Sequence, residues 1–156
     1  MENIVYISAI VLFAVIVIGL ILQKNGGGQT STEPLTRAGV TRLLEKIVDP
    51  ASKVNTAILS STGPDNYYVQ LSYDKKSGSG RIEAVSNTYL SAEYKLTPDQ
   101  EGRLRALGFN EENGGNFVMD TKIADRSRVS TVAEVIERTL GEVYNQKTIK
   151  IKSFAG

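Results

Sequence analysis

The first constraint on this chain is a run of nineteen uncharged residues near its N-terminus, from Ile4 to Leu22. Fourteen of these nineteen residues are Ile, Val, Leu or Phe. As a helix, at about 1.5 Å per residue, the run would span roughly 28 Å, close to the thickness of a bilayer's hydrocarbon core. No charged side chain opposes its insertion. The run predicts that residues 1–22 are a single-pass anchor in a lipid bilayer. Its apolar residues include Ile4, Leu12, Phe13, Ile18 and Leu22.

The alternative for this segment is a cleaved signal peptide. Signal peptides have a basic start, an apolar stretch of roughly 7–15 residues and a small-x-small cleavage site. This chain begins Met1-Glu2-Asn3 and its apolar stretch is longer, which favours the anchor. Gly26 and Gly28 are small enough for a cleavage site, so the alternative stays open.

The charges that flank the run predict its orientation. The basic residues Lys24, Arg37 and Arg42 follow it, whereas the terminal amino group is the one basic group that precedes it. Because basic residues stay on the cytoplasmic side, the C-terminal domain is expected in the cytoplasm, beneath the inner or plasma membrane.

Residues 23–34 have the composition of a flexible linker. They are rich in Gly, Ser and Thr and show no apolar periodicity, which is typical of a flexible coil. The triplet Gly26-Gly27-Gly28 lacks the GxxxxGK[ST] pattern of a phosphate-binding loop. Residues 35–156 then provide enough chain for one domain with its own core.

Periodicity and turn signals predict an α+β domain with an antiparallel sheet, in the order α-β-β-β-α-β-α-β. Thr97-Pro98-Asp99-Gln100 predicts a capped helix start, and Thr131 with Glu134 predicts another. The predicted segments are a helix over 34–48, strands over 54–60, 67–73 and 81–86, a helix from 97 to 108, a strand over 116–121, a helix from 131 to 144 and a strand over 148–154. Lys150 and Lys152 alternate with Ile149 and Ile151, which suits a last strand whose outer face or edge meets water.

Several short motifs resemble a known family. Glu83-Ala84-Val85-Ser86-Asn87-Thr88-Tyr89-Leu90 is similar to a signature of bacterial type III secretion chaperones and YbjN-like proteins. The resemblance covers about residues 36–154. Its further positions are Leu96, Gln100, Leu104, Leu107, Gly108, Phe109, Asn116, Phe117, Leu140, Val143 and Tyr144. Phe109 stands where Trp is more usual in that family.

This resemblance implies a non-enzymatic domain that binds segments of other proteins. Tyrosine suits such a surface because it offers a large apolar area and a hydroxyl group. Tyr68 is predicted to lie on the opposite face of its strand from Tyr67 and Tyr73, and is the first contact candidate. The other candidates are Ser86, Asn87 and Tyr89. The alternative is that Ser86 and Asn87 serve the backbone where the strand ends, and that the tyrosines are core residues.

The residue inventory argues against other functions. The chain has no His and no Cys, which removes the commonest general base, thiol nucleophiles and the usual zinc ligands. A net charge of +1 gives no sign of nucleic-acid binding. We therefore expect no catalytic residues, no metal and no cofactor.

Two hypotheses about function follow. In the first, the domain is a membrane-tethered, chaperone-like module that binds peptide segments of client proteins. In the second, the chain is a single-span accessory or structural subunit of a larger membrane complex. A homodimer through the C-terminal domain is compatible with both hypotheses.

Overall fold

The strands of this chain form one antiparallel sheet, seen in a computed structural model that describes residues 29–155. The chain order is β1 (Gln29–Pro34), α1 (Arg37–Val48), β2 (Val54–Ser61), β3 (Tyr68–Asp74), β4 (Ser79–Ala84), a 3₁₀ turn (Ala92–Tyr94), α2 (Pro98–Ala106), β5 (Asn110–Glu111), β6 (Phe117–Lys122), α3 (Arg126–Arg138), a π turn (Thr139–Val143) and β7 (Thr148–Ala155). The spatial order of the strands is β1-β7-β2-β3-β4-β6-β5.

The helices cover one face of this sheet and leave the other to solvent. Strand residues that alternate onto the covered face, such as Leu59, Leu71 and Ile82, are completely buried. They form one core with the apolar sides of α1 and α3, which include Leu44 and Ile136. The residues between them along the strands are mostly half-buried or exposed. The sheet is therefore amphipathic, with one face closed and one open.

α2 begins as its sequence predicts. The Thr97 hydroxyl accepts a hydrogen bond from the Gln100 backbone N–H, and the Gln100 side chain accepts one from the Thr97 N–H, which completes a capping box. The Gln100 amide also donates to the Val143 carbonyl at 2.6 Å, which ties α2 to the π turn. Gly108 ends the segment at a φ of +99°, a conformation that favours glycine.

α3 begins earlier than predicted. Asp125 caps it by accepting a hydrogen bond from the Arg128 N–H at 2.9 Å. Thr131 instead lies inside the helix, where its hydroxyl donates to the Ser127 carbonyl. The prediction of a capping box at Thr131 and Glu134 was wrong because the apolar periodicity continues toward the N-terminus through the buried Val129.

The predicted fold class and the predicted membrane location need correction. No helix within residues 29–155 has the length and apolar character to cross a membrane. α3 and its π turn, for example, carry charged residues that would be costly in hydrocarbon. These are Arg126, Arg128, Glu134, Glu137, Arg138 and Glu142. The predicted span, residues 4–22, lies outside the described residues.

The element order also differs from the predicted α-β-β-β-α-β-α-β. Residues 29–34, predicted to belong to the linker, form β1 and pair with β7 over six residue positions. β7 is consequently an interior strand between β1 and β2. A short β5 also precedes β6 and pairs with it at Asn110 and Glu111.

Candidate functional site

The candidate site is the open face of the sheet. The strand register brings Ile58 of β2, Gln70 of β3, Glu83 of β4 and Lys152 of β7 into one row across this face. Ser60, Tyr68 and Lys150 form the next row. The row on the other side contains Thr56, Ser72, Arg81, Asp120 and Phe154. Because Ile58, Tyr68 and Phe154 are half-buried, partly accessible apolar groups lie among the polar ones.

The open face carries two groups of charged residues. Lys150 and Lys152 are exposed on β7. On the opposite side, the Arg81 guanidinium contacts three carboxylates, those of Glu112 at 2.6 Å, Glu83 at 3.3 Å and Asp120 at 3.4 Å. Lys53, Lys75 and Lys76 lie in the same region, so the charges on that side are mixed. A bound segment would therefore meet exposed basic groups at the β7 side of the face.

A groove opens at one corner of this face. It has a volume of about 520 Å³, and its lining includes Thr56, Ser72 and Arg81 together with Lys53 and Lys75. The Lys75 ammonium group donates to the Asp49 carbonyl at 2.7 Å and also to the Ser52 carbonyl. This lysine thus holds the loop before β2 against the end of β3.

The structure places Tyr68 on the open face, half-buried, with its ring on the side away from the helices. Its hydroxyl accepts a hydrogen bond from the Asn116 amide at 2.8 Å, and the same amide lies 3.4 Å from a Glu83 carboxylate oxygen. Burial raises the pKa of the Tyr68 hydroxyl, with smaller upward contributions from Glu83 and Tyr89. The Tyr68 hydroxyl is neutral at physiological pH, and its hydrogen bond with Asn116 holds the ring in one orientation on the open face.

Ser86 and Asn87 lie in the segment that follows β4. Ser86 is buried, and its hydroxyl accepts a hydrogen bond from the Thr88 N–H at 3.2 Å. The Asn87 side chain accepts from the Leu96 N–H at 2.5 Å and donates to the Leu96 carbonyl at 3.1 Å and to Glu101 at 2.8 Å. Both side chains therefore hold the chain between β4 and α2 in place.

Tyr89 is half-buried at the start of this same segment, and its N–H bonds the Ser86 carbonyl. Tyr89 is one of the smaller causes that raise the pKa of the Tyr68 hydroxyl. Of the four candidates, Tyr68 lies on the open face of the sheet, whereas Ser86, Asn87 and Tyr89 lie in the segment after β4. The contact roles of all four residues stay predictions.

Two residues that hold this region in place were not among the predicted contact residues. Asn116 orients the Tyr68 hydroxyl from the start of β6. Tyr144 is only 2% exposed, stacks on Tyr67 with ring centroids 4.9 Å apart, and donates a hydrogen bond to the Val85 carbonyl at 2.9 Å. The sequence marks both residues only as motif positions, because the partners they bind lie far away along the chain.

The arrangement offers contacts for binding. Among residues 29–155 no group of three or more His, Cys, Asp or Glu side chains is placed to hold a metal ion. The open face instead offers hydroxyl, amide and charged groups around a few apolar side chains, which suits recognition of another polypeptide.

The fold and the open face together define an α+β domain with an accessible antiparallel sheet. Comparison with known families then places it: residues 38–149 match the TY-Chap3 family, described as T3SS (YopN, CesT) and YbjN peptide-binding chaperone 3. The chain belongs to this family, and the resemblance to secretion chaperones and YbjN-like proteins is confirmed. No curated protein and no solved structure matches the chain.

Proposed function

We propose that this domain is a non-enzymatic module that binds extended peptide segments of other proteins across the open face of its sheet. Membership of a family described as peptide-binding chaperones is the observation that carries the proposal. The partner is a polypeptide in extended conformation, because an extended chain turns alternate side chains to one surface and can contact several residues of the open face.

The open face supports this proposal through its mixture of groups. Ile58, Tyr68 and Phe154 offer apolar contact area that a peptide side chain would cover. Lys150 and Lys152 are exposed on the β7 side of these apolar groups. We therefore expect the preferred peptides to carry apolar residues together with an acidic residue at the end that lies against these lysines.

The test is a screen of a displayed random-peptide library against the full chain of 156 residues. Enriched peptides should share a pattern of apolar residues next to an acidic end. A library that yields no enriched peptide, or peptides that bind equally well to a variant with an altered open face, would contradict the proposal.

Tyr68→Asp is expected to weaken binding of an enriched peptide about tenfold or more, because it removes an apolar contact and adds a charge beside Glu83. Fluorescence anisotropy measures the affinity, and thermal unfolding followed by circular dichroism checks that the domain stays folded. Ser130→Asp is the matched control, since it adds the same charge at an exposed position of α3 on the helical side. The control should bind as the unaltered chain does. Loss of the fold in Tyr68→Asp would make Tyr68 a core residue and contradict its contact role.

A further inference from the structure

β1 is a strand that lies outside the region matched by the family. Residues 38–149 match, whereas β1 covers Gln29–Pro34 and pairs antiparallel with β7. It occupies the edge position that β7 would otherwise present to solvent. An antiparallel strand at a sheet edge is the geometry in which an extended peptide adds to a sheet.

β1 is held mainly through its backbone. None of its six side chains is buried; Glu33 is half-buried and the other five residues are exposed. The Lys46 ammonium group donates to the Gln29 side chain at 3.3 Å, an exposed contact, and the Ser31 hydroxyl bonds Glu33 within the same strand. Because apolar burial is the main source of stability, a strand held in this way is expected to detach more readily than β2 or β3.

A groove remains unfilled beneath β1. It lies between β1 and α1, has a volume of about 480 Å³, and contains the apolar side chains of Leu43 and Ile151. Ser31 stands opposite Ile151 in the register and is the middle residue of the three that β1 turns toward α1. Ile151 is only 7% exposed, whereas Leu43 is half-buried, so the short serine side chain leaves Leu43 partly uncovered.

α1 contributes to the groove through an unusual residue choice. Gly39 lies in the first turn of α1 and lines the groove. Its backbone does not have a positive φ, so its conformation does not require glycine. A Cβ atom at this position would lie 3.1 Å from the Thr36 hydroxyl that caps α1, and 3.6 Å from Glu33. Glycine therefore leaves room for the cap and keeps this side of the groove open.

We propose that β1 is a displaceable internal strand that occupies a second peptide site, formed by the edge of β7 and the groove beside α1. The partner for this site is an extended segment with a large apolar side chain at the position of Ser31. This inference rests on the peptide-binding function proposed above, but it concerns a different surface from the open face.

One physical difference favours the incoming strand. It replaces the backbone hydrogen bonds of β1 one for one, so these bonds cancel in the free energy. Its apolar side chain additionally covers Leu43, which is half-buried, and this gain has to exceed the advantage that β1 has as part of the same chain. Arg42 and Lys46 are exposed on the rim, so acidic or amide residues at the positions of Gln29 and Glu33 suit the partner.

The test uses a reversible disulfide that locks β1 onto β7 in the full chain. Thr32 and Lys150 are directly opposite in the register and both are exposed, so Thr32→Cys with Lys150→Cys can form a cross-strand disulfide. The chain has no other cysteine, so only this bridge forms. The same sample serves as its own control, because reduction releases β1.

The probe is a fluorescein-labelled synthetic peptide of residues 28–35 that carries Ser31→Leu. We expect it to bind the reduced double variant, and to bind the oxidised form of the same variant more than about tenfold more weakly. The same peptide with its native serine should bind about tenfold more weakly than the leucine peptide. Equal affinity for the oxidised and reduced forms would overturn the proposal.

Hydrogen exchange provides a second measurement that needs no variant. Backbone amides of β1 should exchange much faster than those of β3, since opening of β1 exposes little apolar surface. Exchange of β1 as slow as that of β3 would contradict a displaceable strand.

The outcomes separate this inference from the proposed function. The leucine peptide should bind Tyr68→Asp as it binds the unaltered chain, because Tyr68 lies on another surface. If library peptides show no dependence on Tyr68 while the leucine peptide responds to the lock, the open-face proposal fails and the β7-edge site stands. If library peptides depend on Tyr68 while the lock has no effect on the leucine peptide, the open-face proposal stands and the β7-edge site fails.

Discussion

Tyr144→Ala is expected to lower the free energy of unfolding by about 4 kcal/mol, within the range for removing a buried aromatic side chain. Tyr144 is 2% exposed, and its ring stacks on Tyr67 at a centroid distance of 4.9 Å with an angle of 11° between the planes. Removing the ring leaves a cavity between the π turn and β3. Urea denaturation followed by circular dichroism measures the loss.

Tyr144→Phe separates the hydroxyl from the ring. The hydroxyl donates to the Val85 carbonyl at 2.9 Å in a buried position, so we expect a smaller loss of about 1–2 kcal/mol. Tyr73→Phe is the matched control, because its hydroxyl makes only a 3.4 Å contact with the Ile123 carbonyl and is half-buried. If both variants were as stable as the unaltered chain, the Val85 bond would contribute nothing.

The Tyr144 hydroxyl also makes the stability of the folded domain depend on pH in the alkaline range. Burial raises the pKa of the Tyr144 hydroxyl far above its ordinary value of 10.0, with smaller contributions from Tyr68 and Tyr67. The folded state keeps this proton above pH 10, whereas the unfolded chain releases it. Stability therefore falls as the pH rises above about 10, by up to about 1.4 kcal/mol per pH unit for this group. Tyr144→Phe should lose this part of the dependence.

Asn87→Ala is expected to destabilise the domain by about 2–4 kcal/mol, because several polar groups lose their partners together. The Asn87 side chain bonds both the N–H and the carbonyl of Leu96 and reaches the Glu101 carboxylate at 2.8 Å. Leu96 itself is 5% exposed, so water replaces these bonds poorly. Thermal and urea unfolding measure the change.

Two further variants make this prediction specific. Thr88→Ala removes an exposed bond to the Gly114 carbonyl and should cost less than about 1 kcal/mol. Asn87→Asp keeps an acceptor for the Leu96 N–H but places a second carboxylate against Glu101. It should therefore be unstable at neutral pH and recover when acid protonates this pair. Equal stability of Asn87→Ala and Thr88→Ala would show that Asn87 does not hold the segment.

The alternation of residues in β3 explains why much of the sheet was predictable. Val69 and Leu71 face the core while Tyr68 and Gln70 face outward, and this period of two is visible in the sequence. The helix cap at Thr97 was equally predictable, because a capping box is a local arrangement of neighbouring residues. The prediction of Tyr68 on the face opposite Tyr67 and Tyr73 follows from the same period.

β1 could not be predicted because its sequence, Gln-Thr-Ser-Thr-Glu-Pro, has no apolar alternation. It becomes a strand because β7 offers a row of backbone partners more than a hundred residues away. The role of Asn87 depends in the same way on Leu96 and Glu101, whose approach requires the turn after β4. Such features arise from tertiary contacts, which the apolar periodicity of the sequence does not reveal.

Site-specific photocrosslinking tests the central claim, peptide binding on the open face, most directly. A photoreactive amino acid replaces Ile58 on the open face in one sample and Ser130 on α3 in another, both in the full chain. We expect an enriched library peptide to crosslink from position 58 and not from position 130, with excess unlabelled peptide abolishing the product. Crosslinking from position 130 alone, or from neither position despite measurable binding, would contradict the account.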